Sequence, residues 1–327
     1  MNFVKGEKGV ALVIALFVIT VLCVMVVEFT YLTRVDITMA ANIRDENRAL
    51  YVAKAGVHAA LVVLKNDDND YDALTDDWNK LAMITQSPLA YSEYLGEGGI
   101  TVSIIDENRK INVNNIEDED STSLLQLNRL FELLEIDTDL IDSIRDWIDS
   151  DHDVRDNGAE DDYYLGLEDP YPCKDAPMST VSELLLVKGI TKEIFYGNED
   201  RKGIREYLTI HTDGKINVNT AESMVLQTLG YIEEDEWSFP ISEDVAKSII
   251  DYREGENVFE ELSDIKEVDG ITDIYDMIRG QITVESNAFS VDVTGEVNTI
   301  EKMINAVIRR TGEGDSKAVK IALWAVE

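Results

Sequence analysis

The chain of 327 residues carries 29 Lys and Arg against 65 Asp and Glu, a formal net charge of -36, yet 45% of it is hydrophobic. That length and apolar content provide for one large domain or two to three smaller ones and exclude wholesale disorder. The acidity argues against a nucleic-acid binder, because neutralising phosphates takes Lys and Arg, and makes a cation the expected ligand.

Residues 1–9 form a short polar leader with Lys5 and Lys8, and Val10 to Val27 follow as eighteen residues without a charge. This run is just long enough to span a bilayer, and the two lysines assign its N-terminus to the cytoplasmic side. A secretory signal needs a small-x-small cleavage site directly after the run; Thr38-Met39-Ala40 comes too late, beyond Glu28, Arg34 and Asp36. Apolar residues instead continue at three- and four-residue steps through Leu32, Val35, Met39, Ile43, Leu50, Ala53, Val57, Leu61 and Leu64, and the first proline is Pro88. The spacing predicts one helix over 10–65, about 80 Å long at 1.5 Å per residue. Half of it suits lipid and half carries an amphipathic stripe. Taken alone, the segment also reads as a plain signal anchor.

A basic leader ending in Gly9, then an apolar helix that runs on past the membrane, resembles the N-terminus of type IV prepilins and type II secretion pseudopilins. The resemblance implies that a prepilin peptidase cuts after Gly9 and leaves Val10 as an N-methylated first residue. Most of these proteins carry Glu at the fifth mature position, where it neutralises a neighbouring subunit's N-terminal ammonium in the apolar filament core. Here that position is Ile14. An uncompensated charge in such a core is costly, and the missing glutamate is a feature of the K-type minor pseudopilins, the general secretion pathway protein K family, which sit at the filament tip.

Residues 66–80 are acidic and turn-rich and read as a boundary. Ile100, Val102 and Ile104 alternate with Thr101 and Ser103, a polar turn spans Asp106 to Lys110, and Ile111 and Val113 alternate again, which predicts a β-hairpin. Strand signals return in Ile282-Thr283-Val284, Phe289 to Val297, Met303 to Ile308, and Ala318 to Val326 after a Gly312/Gly314 turn. Between them lies a long region of helical periodicity. The expected fold is α+β and pilin-like: a leader over 1–9, the transmembrane and amphipathic helix over 10–65, and a mainly antiparallel sheet formed by 66–114 and 281–327. A large all-helical insertion over 115–280 interrupts that sheet. The family resemblance implies the same arrangement, with a sterile-α-motif-like insertion.

The insertion contains a diverged internal repeat. Lys110-Ile-Asn-Val-Asn114 recurs as Lys215-Ile-Asn-Val-Asn219, Ser143 to Trp147 parallels Ser248 to Tyr252, and Ser182 to Ile190 echoes Glu261 to Ile271. The second copy also resembles helix-hairpin-helix modules of membrane-anchored DNA-uptake proteins, the main rival reading. Such a hairpin aims backbone N–H groups at phosphate; here Gly230 is followed by Glu233, Glu234, Asp235 and Glu236, which repel one. A helical packing module with Asn219 or Thr220 capping a helix is the better account.

The densest chemical signal is Asp146 to Asp169, ten carboxylates against the single Arg155. Asp149, Asp151, Asp153 and Glu160 fall at positions 1, 3, 5 and 12 of a twelve-residue calcium loop, although Val154 stands where the sixth position requires glycine. Carboxylates this close repel one another without a cation. Asp161 and Asp162 follow at once and could complete the first ion's shell or serve a second. The tract also resembles the calcium-binding region of K-type pseudopilins, which implies Asp149, Asp151, Asp153, Asp156, Glu160, Asp161 and Asp162 as ligands. A solvated acidic loop is the alternative.

No phosphate-binding loop, dinucleotide fingerprint, nucleophile elbow or Cys/His zinc spacing is present, and nothing holds a second catalytic group near His152. Cys173 reads as incidental in a rigid proline-bounded loop. The expectation is a non-enzymatic minor pseudopilin at the tip of a type II secretion pseudopilus, single-pass in the inner membrane with its bulk periplasmic. Its partners by resemblance are the I-, J- and H-type minor pseudopilins, the major pseudopilin and the prepilin peptidase, with calcium as cofactor and no nucleic acid. A calcium-dependent adhesion or scaffold protein is a further alternative.

Overall fold

The computed structural model describes residues 7–85, 98–199, 201–233, 236–254, 257–311 and 318–326. Helix α1 (Glu7–Lys65) runs unbroken for 59 residues. No proline falls within it, and its threonines bond back onto the preceding turn, as in Thr20 to the Leu16 carbonyl at 2.8 Å. Its first half is exposed all round, Ile14 at 58%, and is long and apolar enough to cross a membrane. In the second half Ala49, Ala53, Val57, Ala60 and Leu64, spaced at three and four residues, are fully buried. The short helix α2 (Asp77–Thr85) follows.

The strands in chain order are β1 (Gly98–Asp106), β2 (Ile111–Asn112), β3 (Leu208–Thr209), β4 (Ile216–Asn217), β5 (Tyr231–Glu233), β6 (Glu236–Ser238), β7 (Ile282–Thr283), β8 (Ala288–Val297), β9 (Ile300–Thr311) and β10 (Ala318–Val326). The main sheet has the order β1-β8-β9-β10 and is antiparallel throughout. Alternation packs one face, through Val102, Ile104, Phe289, Val291, Val293, Ile304, Ala306 and Ile308, onto α1 and Trp78. Close approach requires two glycines. A Cβ on Gly56 would strike the Val293 side chain, and one on Gly295 would overlap the backbone of Ala49 and Ala53. Gly295→Val is therefore expected to push α1 off the sheet and cost about 2–3 kcal/mol, measurable as a lowered denaturation midpoint of the full chain in detergent.

The local hairpin expected around Asp106 to Lys110 is corrected. β1 pairs along its whole length with β8, while β2 pairs in parallel with β3. The Asp106 side chain accepts from the Asn108 N–H at 2.8 Å and starts a 3-10 turn that sends the chain into the insertion rather than back along β1.

The insertion has its own core, from Ile111 to Val284, separate from that of the sheet. It is mainly helical but not purely so. Each copy of the repeat opens with a short strand paired in parallel, Ile111 with Leu208 and Ile216 with Ile282. In each, the last asparagine of the Ile-Asn-Val-Asn motif grips one distant backbone unit. Asn114 accepts from the Met178 N–H and donates to its carbonyl, at 2.8 and 3.0 Å; Asn219 does the same to Phe259, at 3.0 and 2.9 Å. Asn219 is thus a clamp and Thr220 donates to Asp106; neither caps a helix as the sequence suggests. Both copies then form a 3-10 helix, Val181–Leu186 and Leu262–Glu267, followed by a left-handed glycine, Gly189 at φ 83° and Gly270 at φ 88°. The copies differ mainly between their central helix and the clamped residue. That stretch is long in the first copy, where it holds the acidic tract, and short in the second.

Candidate metal centre

The helix Leu140–Ile148 turns Ile141, Ile144, Trp147 and Ile148 into the core. The acidic loop starts where it ends, at Asp149, whose N–H closes the last turn onto the Arg145 carbonyl at 3.0 Å. The loop is pinned back on the helix. Ser143 Oγ donates to the Asn157 carbonyl at 3.1 Å, the Asn157 N–H donates to Asp142 at 3.2 Å, and Lys188 Nζ reaches the Gly158 carbonyl at 2.8 Å. Gly158 is required there, because a Cβ would overlap the Asp146 carboxylate.

Within this frame Asp149, Asp151 and Glu160 each bring a carboxylate oxygen within 4.8 Å of the others, and His152, Glu160 and Asp175 form a second such group that shares Glu160. Glu160 is only 3% exposed and Asp149 2%, yet both oxygens of Glu160, one of Asp149 and one of Asp175 lack a hydrogen-bond partner. Burial pushes the Glu160 carboxyl up to about 7; the Cys173 thiol beside it opposes that rise, and repulsion from Asp146, Asp175 and Asp149 adds to it. Unmatched buried carboxylate oxygens are expensive. A hard divalent cation that prefers six to eight oxygens relieves them all at once, which fits calcium better than a nitrogen- or sulfur-preferring metal.

The other sequence-derived candidates lie elsewhere. Asp153 and Asp156 are exposed, the Asp153 N–H instead donating to Asp151 at 2.8 Å. Asp161 accepts from the Cys173 N–H at 2.8 Å, and Asp162 is exposed on the short helix Asp161–Tyr164. None of the four enters a cluster of the kind formed by Asp149, Asp151 and Glu160. With Val154 at the glycine position the loop does not wind as an EF-hand, and Asp175 approaches from the Pro172 to Pro177 segment in its place. The chain takes a left-handed turn there, at Asp175 φ 50°. The signal available in the sequence was a carboxylate fixed between prolines. Cys173 is buried, with its thiol 3.6 Å from the Asp146 carbonyl and its pKa raised well above the ordinary range by burial.

A further carboxylate group, Asp67, Asp72 and Asp76, is met by an internal cation. Arg310 of β9 reaches Asp72 at 2.6 Å and Asp67 at 2.8 Å. The rival phosphate-binding reading finds no support in the second repeat. After Gly230, β5 pairs with β6 on either side of Glu234 and Asp235, which lie outside the described residues, and Arg253 turns inward to the carbonyls of Val218 and Ala221, at 2.6 and 2.7 Å.

A family model for type II secretion system protein K matches residues 109–197, the first repeat and its acidic loop. Type II secretion system protein K of Pseudomonas aeruginosa is 27% identical over 267 residues, covering 76% of this chain and 73% of the relative. That of Pectobacterium carotovorum is 26% identical over 65% of this chain and 66% of its own length. In fold, the chain is similar to a chain of the GspK-GspI-GspJ complex from the enterotoxigenic Escherichia coli type 2 secretion system. The TM-score is 0.67 and the identity 18%, over 88% of this chain and 99% of that one.

Proposed function

We propose that this chain is a K-type minor pseudopilin of the type II secretion system, which caps the pseudopilus tip as a structural, non-enzymatic subunit and whose inserted region is stiffened by calcium. The carrying observation is helix α1. One face of its C-terminal half is buried on its own sheet, while its apolar N-terminal half is exposed among the described residues. A helix of that kind is stored in a bilayer and becomes useful when it packs against the equivalent helices of other subunits. The partners are the I-, J- and H-type minor pseudopilins and the major pseudopilin, the helix holds the subunit in the inner membrane, and the bulk is periplasmic. Ile14 in place of glutamate removes the group that would receive the N-terminal ammonium of a subunit stacked above, and the bulk of the insertion opposes such stacking sterically.

Asp149, Asp151 and Glu160 would hold the calcium ion, with Asp175 beside them. The ion neutralises buried carboxylates and ties the end of the helix Leu140–Ile148 to the start of the helix Asp161–Tyr164.

The N-terminal part of the proposal has a direct test. N-terminal sequencing and intact mass of the protein co-expressed with a prepilin peptidase should give a methylated Val10 as first residue, and Gly9→Leu should leave the leader in place. A mature N-terminus elsewhere overturns the assignment of the leader.

A further inference from the structure

We propose that Arg155 is a built-in counter-cation of the calcium site: it holds the acidic loop together without the ion and, through its fixed charge, weakens the ion's binding. This rests on the calcium reading above. The guanidinium donates to Asp146 at 2.7 Å and to Asp149, while the Arg155 backbone N–H donates to the other oxygen of Asp146 at 3.3 Å. Asp146 is completely buried and both its oxygens are taken, so it is closed to a metal. Asp149 is shared: one oxygen accepts from Arg155, the other has no hydrogen-bond partner, and the residue also belongs to the candidate group with Asp151 and Glu160.

Two consequences follow from that arrangement. The ion binds beside the guanidinium rather than in its place, because removing Arg155 from Asp146 would strand a fully buried carboxylate. The guanidinium also cannot lose its proton, so its repulsion of a dication is permanent. A single and a double positive charge a few ångströms apart at near-aqueous dielectric change a binding constant by about tenfold. Arg155 thus exchanges part of the affinity for a loop that keeps its shape when calcium is scarce. Among the described residues no cation pairs with Glu160, whose neighbour is the uncharged Cys173 thiol, and this leaves its buried carboxylate to the ion.

The test uses the full chain in detergent micelles, loaded with calcium chloride and titrated by chelator competition, with melting followed in saturating calcium and in chelator. Arg155→Gln should bind calcium about tenfold more tightly than the wild type and melt at lower temperature in chelator, whereas Arg155→Lys should stay close to the wild type in both. Equal or weaker calcium binding by Arg155→Gln, with its fold verified by circular dichroism in saturating calcium, overturns the proposal. Starting from the loaded protein keeps the comparison valid if the variant unfolds without the ion. A wild type that neither binds calcium nor melts higher with it removes the calcium reading itself, a result separate from the variant's.

Discussion

Glu160→Gln is expected to abolish the response of the protein to calcium while making the calcium-free form more stable than the wild type. The opposite signs follow from the burial of an unpartnered carboxylate. Without an ion, the folded state raises the Glu160 pKa from 4.5 to about 7, so folding favours the protonated group. This contribution is intact below the unfolded value and is lost as pH rises through the folded one, so calcium-free wild type should lose stability between about pH 4.5 and 7. The amide of glutamine carries no charge to desolvate and should flatten that slope. With calcium at a hundredfold excess over its dissociation constant, the wild type gains about 2.7 kcal/mol. That is a rise of roughly 5–10 °C in melting temperature for a unit of this size, and the variant should show none of it. Melting curves of the full chain at pH 5 and pH 8, with calcium and with chelator, test all of these statements. A calcium response retained by Glu160→Gln would contradict the ligand assignment.

Arg310→Met should produce the largest loss of stability among single substitutions outside the apolar cores. Arg310 comes from β9 and reaches Asp72 and Asp67, both in the segment after α1, and it also donates to the Leu64 carbonyl at the end of α1, at 3.3 Å. Asp72 in turn accepts from the Ser286 N–H at 2.7 Å, and its carbonyl accepts from Asn217 of β4 at 3.0 Å. One guanidinium therefore joins the helix, the sheet and the insertion. Burial lifts the Asp72 carboxyl to about 7 even with Arg310 present. Removing the arginine leaves that group buried and unpaired, at a cost of about 3–5 kcal/mol. Pairing the change with Asp72→Asn should recover part of the loss, since the stranded charge is gone. Denaturant titration of the two single variants and the double variant measures this coupling, and additive losses would show that the pair is not coupled.

The parts of the fold that were legible in the sequence are those set by periodic burial. The three- and four-residue spacing from Leu50 to Leu64 announced the buried stripe of α1, and the alternation in Phe289 to Val297 announced β8. The repeat was legible because both Ile-Asn-Val-Asn motifs do the same work, each with a terminal asparagine clamped on a distant peptide unit. The hairpin after β1 was misread because alternation shows that a strand is half-buried and says nothing about its partner. In the acidic tract, loop spacing singled out Asp149, Asp151, Asp153 and Glu160 and the family resemblance added Asp156; of these Asp153 and Asp156 face solvent outside the cluster. Density of charge does not record which carboxylates lose their water.

By itself the sequence determined the long helix whose apolar half is fit to cross a membrane, the alternating strands that cover its other half, the duplicated motif and the location of the acidic loop. All of these are local patterns, fixed by the 3.6-residue and two-residue periods and by composition over short windows. Only the tertiary structure decided that β1 pairs with β8, that Asp175 lies beside Glu160 in the candidate metal centre while Asp161 holds the Cys173 backbone, and that Arg155 and Arg310 neutralise two separate carboxylate groups. Those outcomes depend on which buried charges meet across long stretches of chain. Desolvation makes such meetings obligatory without leaving a mark in the spacing of residues.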